Sequence, residues 1–415
     1  MVLYLYVKMK VESLVEISVI INIFLAVIII GSFGIWVYLF FVLRRSFELS
    51  PKIYSNDNLD LEGEIISVIV PARNEEKYIQ KCIQSLLDQN IKNYELLLVD
   101  DNSTDSTFDL MENFRNDPRV RIFKAGEKPS GWVGKNWPCY IGYQNSKGKY
   151  LMFTDADTIH SNRSVRDSLG TLIKEKLDVI TAVPNLKYPN FIVKMVLPVL
   201  SVFMFSRYSP MRVNDPKVSI GYLFGSFFVI TRECYESVGT HAIVKSEIVE
   251  DGALGKRLKE EGYKLKMFRG EDLLEAYWAR DFNTLWNSLK RLIIPLYFTD
   301  RFNSILMTIG IFFLMSFPFL VLIYCLVAYY THLAEQDLSY SILASFTILS
   351  IMSIYWTNFY QLKKANTHNA VYFLGTPVGC FVVSLSFVWS ILISDKHAKI
   401  KWRDREYNYS KGISC

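Results

Sequence analysis

Residues 17 to 42 are almost unbroken apolar, and a run of that kind admits few folds. It is long enough to cross a bilayer core of about 30 Å as one helix, and it lacks the polar punctuation of a helix buried in a soluble domain. It ends at Arg44-Arg45, which the preference of basic residues for the cytoplasmic face places inside. A cleaved signal peptide fits less well, because the run is too long, its strongest positive charge follows it, and no small-residue cleavage site stands out. Further apolar stretches run over 304–330, 339–361 and 370–393. The loop Thr331 to Leu338 holds two acids and no Lys or Arg, hence outside, whereas Lys363-Lys364 suits the inside. Three full spans would then put the basic tail Lys396 to Lys411 outside, against the same preference. Either one stretch is re-entrant or the tail is an exception; its charge favours the inside.

Composition agrees with a membrane-embedded enzyme: the 415 residues are 51% hydrophobic and 15% aromatic, with a mean hydropathy of +0.17. The net charge of +5 is mild, and the basic residues are scattered or flank apolar spans, so nothing supports a nucleic-acid partner. Cys82, Cys139, Cys234, Cys325, Cys380 and Cys415 show no C-x-x-C or zinc spacing and read as reduced thiols of a cytosol-facing protein.

After a polar linker from Ser50 to Glu64 the pattern changes to short apolar runs alternating with helical spacing. Ile65 to Val70, Glu95 to Val99, Arg119 to Phe123 and Lys149 to Phe153 read as strands, and Ile79, Ile83, Leu86 and Leu87 mark a helix between the first two. This alternation predicts a doubly wound, mostly parallel sheet, which binds ligands beyond the carboxyl ends of its strands. Three strands end in polar sets: Pro71-Ala-Arg73-Asn74-Glu75, Asp100-Asp101, and Asp155-Ala-Asp157. If the run before Asp155 is a buried strand, its pleat aims Asp155 and Asp157 at one side, where they could grip one hard cation such as Mg²⁺ or Mn²⁺. The same residues also suit a capped turn. No Gly-x-Gly-x-x-Gly or Walker loop is present, which excludes the usual dinucleotide oxidoreductase and P-loop ATPase signatures.

Ser67-Val-Ile-Val-Pro71-Ala-Arg-Asn-Glu75, Leu97-Leu-Val-Asp100-Asp101-Asn-Ser-Thr-Asp105, Thr154-Asp155-Ala-Asp157 and Val249-Glu250-Asp251-Gly-Ala-Leu254-Gly255, taken in that order, resemble family 2 glycosyltransferases of the GT-A fold. Pro129-Ser-Gly131-Trp132-Val-Gly134-Lys135-Asn-Trp137, Gly239-Thr-His241 and the tail Lys401-Trp402-Arg403-Asp404-Arg405-Glu-Tyr407 are similar to the membrane glycosyltransferases of hopanoid and carotenoid biosynthesis. The chain departs from that pattern at Pro138, where a small residue is usual, and at Arg403-Asp404, where Lys-Gly is usual. The resemblance implies an α/β catalytic domain of GT-A type, Rossmann-like with a mostly parallel sheet, plus transmembrane α-helices. It implies a nucleotide-sugar donor bound by Pro71, Arg73, Asn74, Glu75, Asp100, Asp101, Lys135 and Asp155, with Asp101 accepting hydrogen bonds from the base. It further implies Mg²⁺ or Mn²⁺ on Asp155 and Asp157, and Asp251 as general base with Glu250 sharing or orienting that role. One direct displacement of this kind inverts the anomeric centre.

Plainer readings stand beside these. Asp100-Asp101 suits a turn, Glu250-Asp251 the favourable start of a helix, and Lys135 a solvated surface. Trp132 and Trp137 suit core or interface, His241 a structural role, and Gly225-Ser226 either close backbone approach to a sugar or a strand bulge. Phe191 to Phe205, short and broken by Lys194 and Pro198, and Asp281 to Pro295 read as helices lying in the membrane interface, which points to a lipid acceptor. Processive polysaccharide synthases carry Gln-x-x-Arg-Trp at this place. The chain has Asn287-x-x-Lys290-Arg291, which favours one sugar per acceptor over a polymer synthase, and the carboxylates taken together stand against a catalytically silent membrane scaffold. The expected organisation is an anchor over 1–45, a linker over 46–64, a catalytic domain over 65–300, membrane helices over 301–395 and a basic tail over 396–415.

Overall fold

A computed structural model of the protein describes residues 2–55, 59–61, 63–331, 337–365, 370–394, 397–402 and 404–410. The acid-bearing stretch 332–336, Arg403 and the last five tail residues lie outside these. The chain divides into two compact units, one of residues 1–45, 190–206 and 299–393 and one of 46–189, 207–298 and 394–415.

The second unit is built on twelve short strands: β1 (Ile66–Ala72), β2 (Tyr94–Asp100), β3 (Val120–Lys124), β4 (Tyr150–Phe153), β5 (Ile159–His160), β6 (Val179–Val183), β7 (Asn185–Leu186), β8 (Phe228–Thr231), β9 (Leu265–Arg269), β10 (Leu274–Ala276), β11 (His397–Trp402) and β12 (Arg405–Ser410). Seven of them form one sheet in the order β3-β2-β1-β4-β8-β6-β9. Within it β8 runs antiparallel to both its neighbours and every other pairing is parallel. This is the mostly parallel sheet that the alternation of strands and helices predicts.

Alternate residues of β1 go to opposite faces, as the two-residue period of a strand requires. Val68 and Val70 pack with Ile79, Cys82, Ile83 and Leu86 of the helix Ile79–Leu87 and with Leu169 and Leu172 of the helix Ser164–Lys174. Ile69 packs on the other face with Cys139 of the helix Asn136–Gln144 and Leu254 and Leu258 of the helix Glu250–Glu260. Because both faces are covered, the strands are apolar throughout rather than alternating.

The helix Glu250–Glu260 carries two acids in its first turn, and glycines fix where that turn sits. A Cβ on Gly255 would stand 2.6 Å from the Leu223 nitrogen and 2.7 Å from the Tyr222 backbone, and one on Gly221 would stand 2.0 Å from the Gly255 oxygen. The helix therefore lies directly on the strand-approach segment 221–225.

The first unit is helical. Glu16–Leu49, Phe191–Val213, Leu338–Lys364 and Val371–Ile393 are long and apolar enough to cross a membrane, and Arg301–Met315 and Phe317–Tyr330 form a pair bent by 47°. Two expectations change here. Phe191 to Phe205, read as a short interfacial segment of the catalytic domain, is part of a 17-residue helix, Phe191–Arg207, grouped with the apolar helices; its Pro198 is accommodated inside the helix. The stretch 304–330, read as one span, is broken at Ser316. Pro318 has no N–H for the Leu314 carbonyl four residues earlier. That carbonyl instead accepts from the indole of fully buried Trp36 at 2.9 Å and from Ser32 at 3.4 Å, which satisfies it in apolar surroundings.

Replacing Gly255 with Ala forces backbone apart between two packed segments and is expected to cost about 1–3 kcal/mol, read as a lower melting temperature. A variant that melts with the wild type would show that the helix has slack.

Candidate active site

The carboxyl ends of β1, β2 and β4 open on one small cavity lined by Pro71, Ala72, Arg73, Glu75, Asp101, Lys135, Pro138, Asp155 and Ala156. Its walls are loops that turn sharply at Asn74 and Asn102, whose φ angles of 54° and 56° lie in the left-handed region that Asn tolerates better than most residues. The two loops are stitched together: the Asn74 N–H donates to the Ser103 hydroxyl, and the Asn74 amide oxygen accepts from the Thr104 N–H at 2.8 Å. Asp100 accepts weakly from the Ser103 N–H, and Asp105 accepts from Thr107 at the next helix start. Asn74 and Asp100 thus shape the loops and are not among the cavity-lining residues.

Asp101 is fully buried. Its Oδ2 accepts from Arg405 at 2.6 Å and from Lys128 at 3.1 Å, while its Oδ1 has no hydrogen-bond partner among the described residues. Burying a carboxylate oxygen without a donor is costly, so the arrangement is one that a ligand N–H would complete. Burial also pulls the Lys128 ammonium down to about 8, and Asp101 opposes that shift.

A second cluster meets at Lys135. Its Nζ contacts Asp155 and lies 3.2 Å from Glu250, so a residue of the stretch Pro129 to Trp137 ties the end of β4 to the start of the helix Glu250–Glu260. Asn136, fully buried, braces that loop by donating to the carbonyls of Val133, Lys245 and Glu247. Asp251 completes the cluster: Oδ2 accepts from the Gly225 N–H and Oδ1 from the Gly252 N–H, both at 2.7 Å. Thr154 donates to the Ser226 carbonyl at 2.8 Å, holding the Asp155 loop to the same strand approach.

Burial dominates the titration of these groups. It raises Glu250 to about 7 against the pull of Lys135, and it raises Asp251 while Lys135 and the two glycine amides oppose it. Burial lowers Lys135, but Asp155, Glu250 and Asp251 together outweigh it and hold the ammonium charged. Glu250 binds its proton more tightly in the fold than in the unfolded chain. It therefore stabilises the fold fully below its ordinary value of 4.5, and that contribution is lost as pH rises through about 7.

Asp155 and Asp157 do not face one partner. The strand ends at Phe153 and both acids sit beyond it around a turn, so the pleat does not set their directions as the sequence suggested. Asp155 is half-buried on Lys135, whereas Asp157 is buried and paired with Arg280, which also contacts Glu75 at 2.5 Å. Burial raises Asp157, with Arg280 opposing. No cluster of three or more His, Cys, Asp or Glu able to hold a metal occurs among the described residues. Mg²⁺ and Mn²⁺ need only one or two carboxylates when water and phosphate supply the rest, so half-buried Asp155, whose partner is the movable Lys135 side chain, fits a divalent ion, whereas Asp157 is taken up by Arg280.

Several contributors escaped the sequence reading. Arg280 and Lys128 carry no motif that marks them. Arg291, on the helix Phe282–Thr299, is lowered by burial and raised by the charges of Glu250, Asp251 and Asp155. Asp404 and Arg405 lie in the tail motif that carries part of the resemblance, but nothing in the sequence gives them a place in the site. The Trp137 indole donates to the Ala125 carbonyl, Trp132 packs edge-on against Trp137, and buried His241 pairs with the Tyr235 hydroxyl, contacts that suit structural roles. Burial lowers His241 to about 3, so it is neutral.

Residues 67–239 match the family model for glycosyl transferase family 2. Over that stretch the chain is similar to glycosyl transferase family 2. A glycosyltransferase of Streptococcus pneumoniae, GlyG, is 32% identical over 119 residues, 28% of this chain and 38% of the relative's length. A 4,4'-diaponeurosporenoate glycosyltransferase of Staphylococcus aureus is 22% identical over 393 residues, 89% of this chain and 94% of that one. Among solved structures, a mannosyltransferase from Pyrobaculum calidifontis, in complex with GDP-Man and Mn²⁺, covers 79% of this chain and 97% of its own at 16% identity and a TM-score of 0.48.

The gap beside Asp251 is expected to matter more for the site than for folding. A Cβ on Gly225 would stand 2.6 Å from Lys135 Nζ and 2.8 Å from Asp251 Oδ2, both ends of movable side chains. Gly225→Ala should cut glycosyl transfer by at least about tenfold, as misplaced catalytic groups do, with a melting temperature close to wild type. Unimpaired transfer would show that the Lys135–Asp251 spacing is not used.

Proposed function

We propose that the protein is a membrane-anchored, metal-dependent, inverting glycosyltransferase that moves one sugar from a nucleotide sugar to a lipid hydroxyl or carboxyl group, with its catalytic domain on the cytoplasmic side of the cell membrane. The observation that carries this reading is the meeting of Asp155, Glu250 and Asp251 around Lys135, beside a cavity whose floor holds an unsatisfied Asp101 oxygen. In it Asp101 takes the base of the donor, and Pro71, Arg73, Glu75 and Lys135 line the nucleotide. Asn74 and Asp100 support these through the loops they fold. The long apolar helices and the full-length likeness to a carotenoid-acid glycosyltransferase favour a lipid acceptor.

The chemistry follows from charge. As the acceptor oxygen attacks the anomeric carbon, the bond from that carbon to the diphosphate breaks and its electron pair leaves on the nucleoside diphosphate. Mg²⁺ or Mn²⁺ held at Asp155 would neutralise that leaving group. Asp251, oriented by the Gly225 and Gly252 amides, takes the acceptor proton, and Glu250 shares the local charge through Lys135. Lys135, kept charged by the cluster, balances the acids until the donor arrives.

Three measurements test this reading. Asp251→Asn should lower turnover by at least about a hundredfold while donor binding persists, and wild-type kcat/KM with a hydroxyl acceptor should fall as pH drops below about 7, where the buried pair regains a proton. Turnover unchanged in Asp251→Asn removes that residue from the mechanism. Asp155→Ala should abolish the increment in donor affinity that Mn²⁺ or Mg²⁺ gives the wild type in calorimetry; an increment that survives refutes the ion site.

A further inference from the structure

The C-terminal hairpin of β11 and β12 turns at Asp404, and that turn is fastened to the two loops that would hold the nucleotide. Arg73, itself buried and lining the cavity, donates from Nε and Nη2 to the two Asp404 carboxylate oxygens at 2.8 and 2.5 Å, and from Nη1 to the carbonyls of Asp101 and Asn102. Arg405 donates to Asp101 Oδ2 at 2.6 Å and to the Asp101 carbonyl at 3.3 Å. Tyr407 stands 3.4 Å from Lys128, the other cation on Asp101. Residues more than 300 positions apart in sequence thus share one network of charge-assisted hydrogen bonds.

The network is asymmetric in an informative way. Both cations sit on Asp101 Oδ2, and Oδ1, buried in the same carboxylate, is left without a partner among the described residues. A carboxylate free to rotate would spread its two oxygens over the available donors. Here the guanidinium, anchored on the side chain and the backbone of the same residue, fixes which oxygen is spent and which is left for a ligand.

We propose that Arg405 is a positioning residue of the donor site: it clamps Asp101 so that Oδ1 is presented to the nucleobase, and the hairpin turn, latched by Asp404 on Arg73, is a structural part of the nucleotide pocket rather than a membrane-flanking tail. This rests on the reading of Asp101 as the base-binding acid. The hairpin acts on the nucleotide and not on the acceptor, so its loss raises the donor KM and spares kcat at saturating donor.

The test is a double-mutant cycle in the full chain, with calorimetric titration of UDP, GDP, ADP and CDP in Mn²⁺. For the nucleotide that the wild type binds, Arg405→Ala and Asp101→Asn should each weaken binding by about ten- to a hundredfold, the range for losing a charged hydrogen bond. The double variant should be no worse than Asp101→Asn alone, because the two residues act as a unit. Arg405→Lys, which keeps the charge but lacks the fork that reaches side chain and backbone together, should recover part of the loss and serves if the alanine variant does not fold. Binding unchanged or tightened in Arg405→Ala or Arg405→Lys overturns the proposal, the second result marking the hairpin as a plug. Losses that simply add also overturn it. A wild type that binds none of the four nucleotides overturns the donor reading itself and the hairpin's role with it.

Discussion

Burying acids near one another is the constraint on which this structure turns. Two like charges about 4 Å apart in a medium of effective dielectric about 20 repel by about 4 kcal/mol, and desolvation adds to that cost. The fold meets the cost by giving each acid a cation or a row of amides. Lys135 serves Asp155 and Glu250, Arg280 serves Glu75 and Asp157, and Arg405 with Lys128 serves Asp101. Asp251 has the amides of Gly225 and Gly252. The sheet brings β1, β2 and β4 side by side, and the close glycine packing sets the helix start beside them, so these pairings are consequences of topology rather than of local sequence.

That division explains what could be read from the chain. The strands were legible because two covered faces make them continuously apolar, and the polar sets at their ends were legible because a parallel sheet exposes its ligands there. The partners of those sets were not. Arg280 stands among ordinary loop residues, and nothing in its neighbourhood announces a clamp between Glu75 and Asp157. The Asp155-Ala-Asp157 spacing suggested two ligands for one ion, yet the strand ends at Phe153, and from there a turn rather than a pleat sends one acid to Lys135 and the other to Arg280. Spacing reports directions only while the element that sets the period continues.

The helical unit shows the same limit. Hydropathy located the apolar stretches, but a window of that kind averages over Ser316 and Pro318 and cannot see a bend. The carbonyl freed by Pro318 needed a donor in apolar surroundings, and Trp36, on a helix nearly 300 positions away, supplies it. Likewise Phe191–Arg207 looked too short and too interrupted to belong with the membrane helices until its neighbours were known.

The compact unit that holds the acids is not a continuous piece of chain: it takes in residues 46–189, 207–298 and 394–415. Arg73 emerges from the ribosome 331 residues before its partner Asp404, and Asp101, which meets Lys128 early, gains its second cation only with Arg405. A polypeptide cut before Asp404 would keep the polar sets at its strand ends and still leave those two loops unmated.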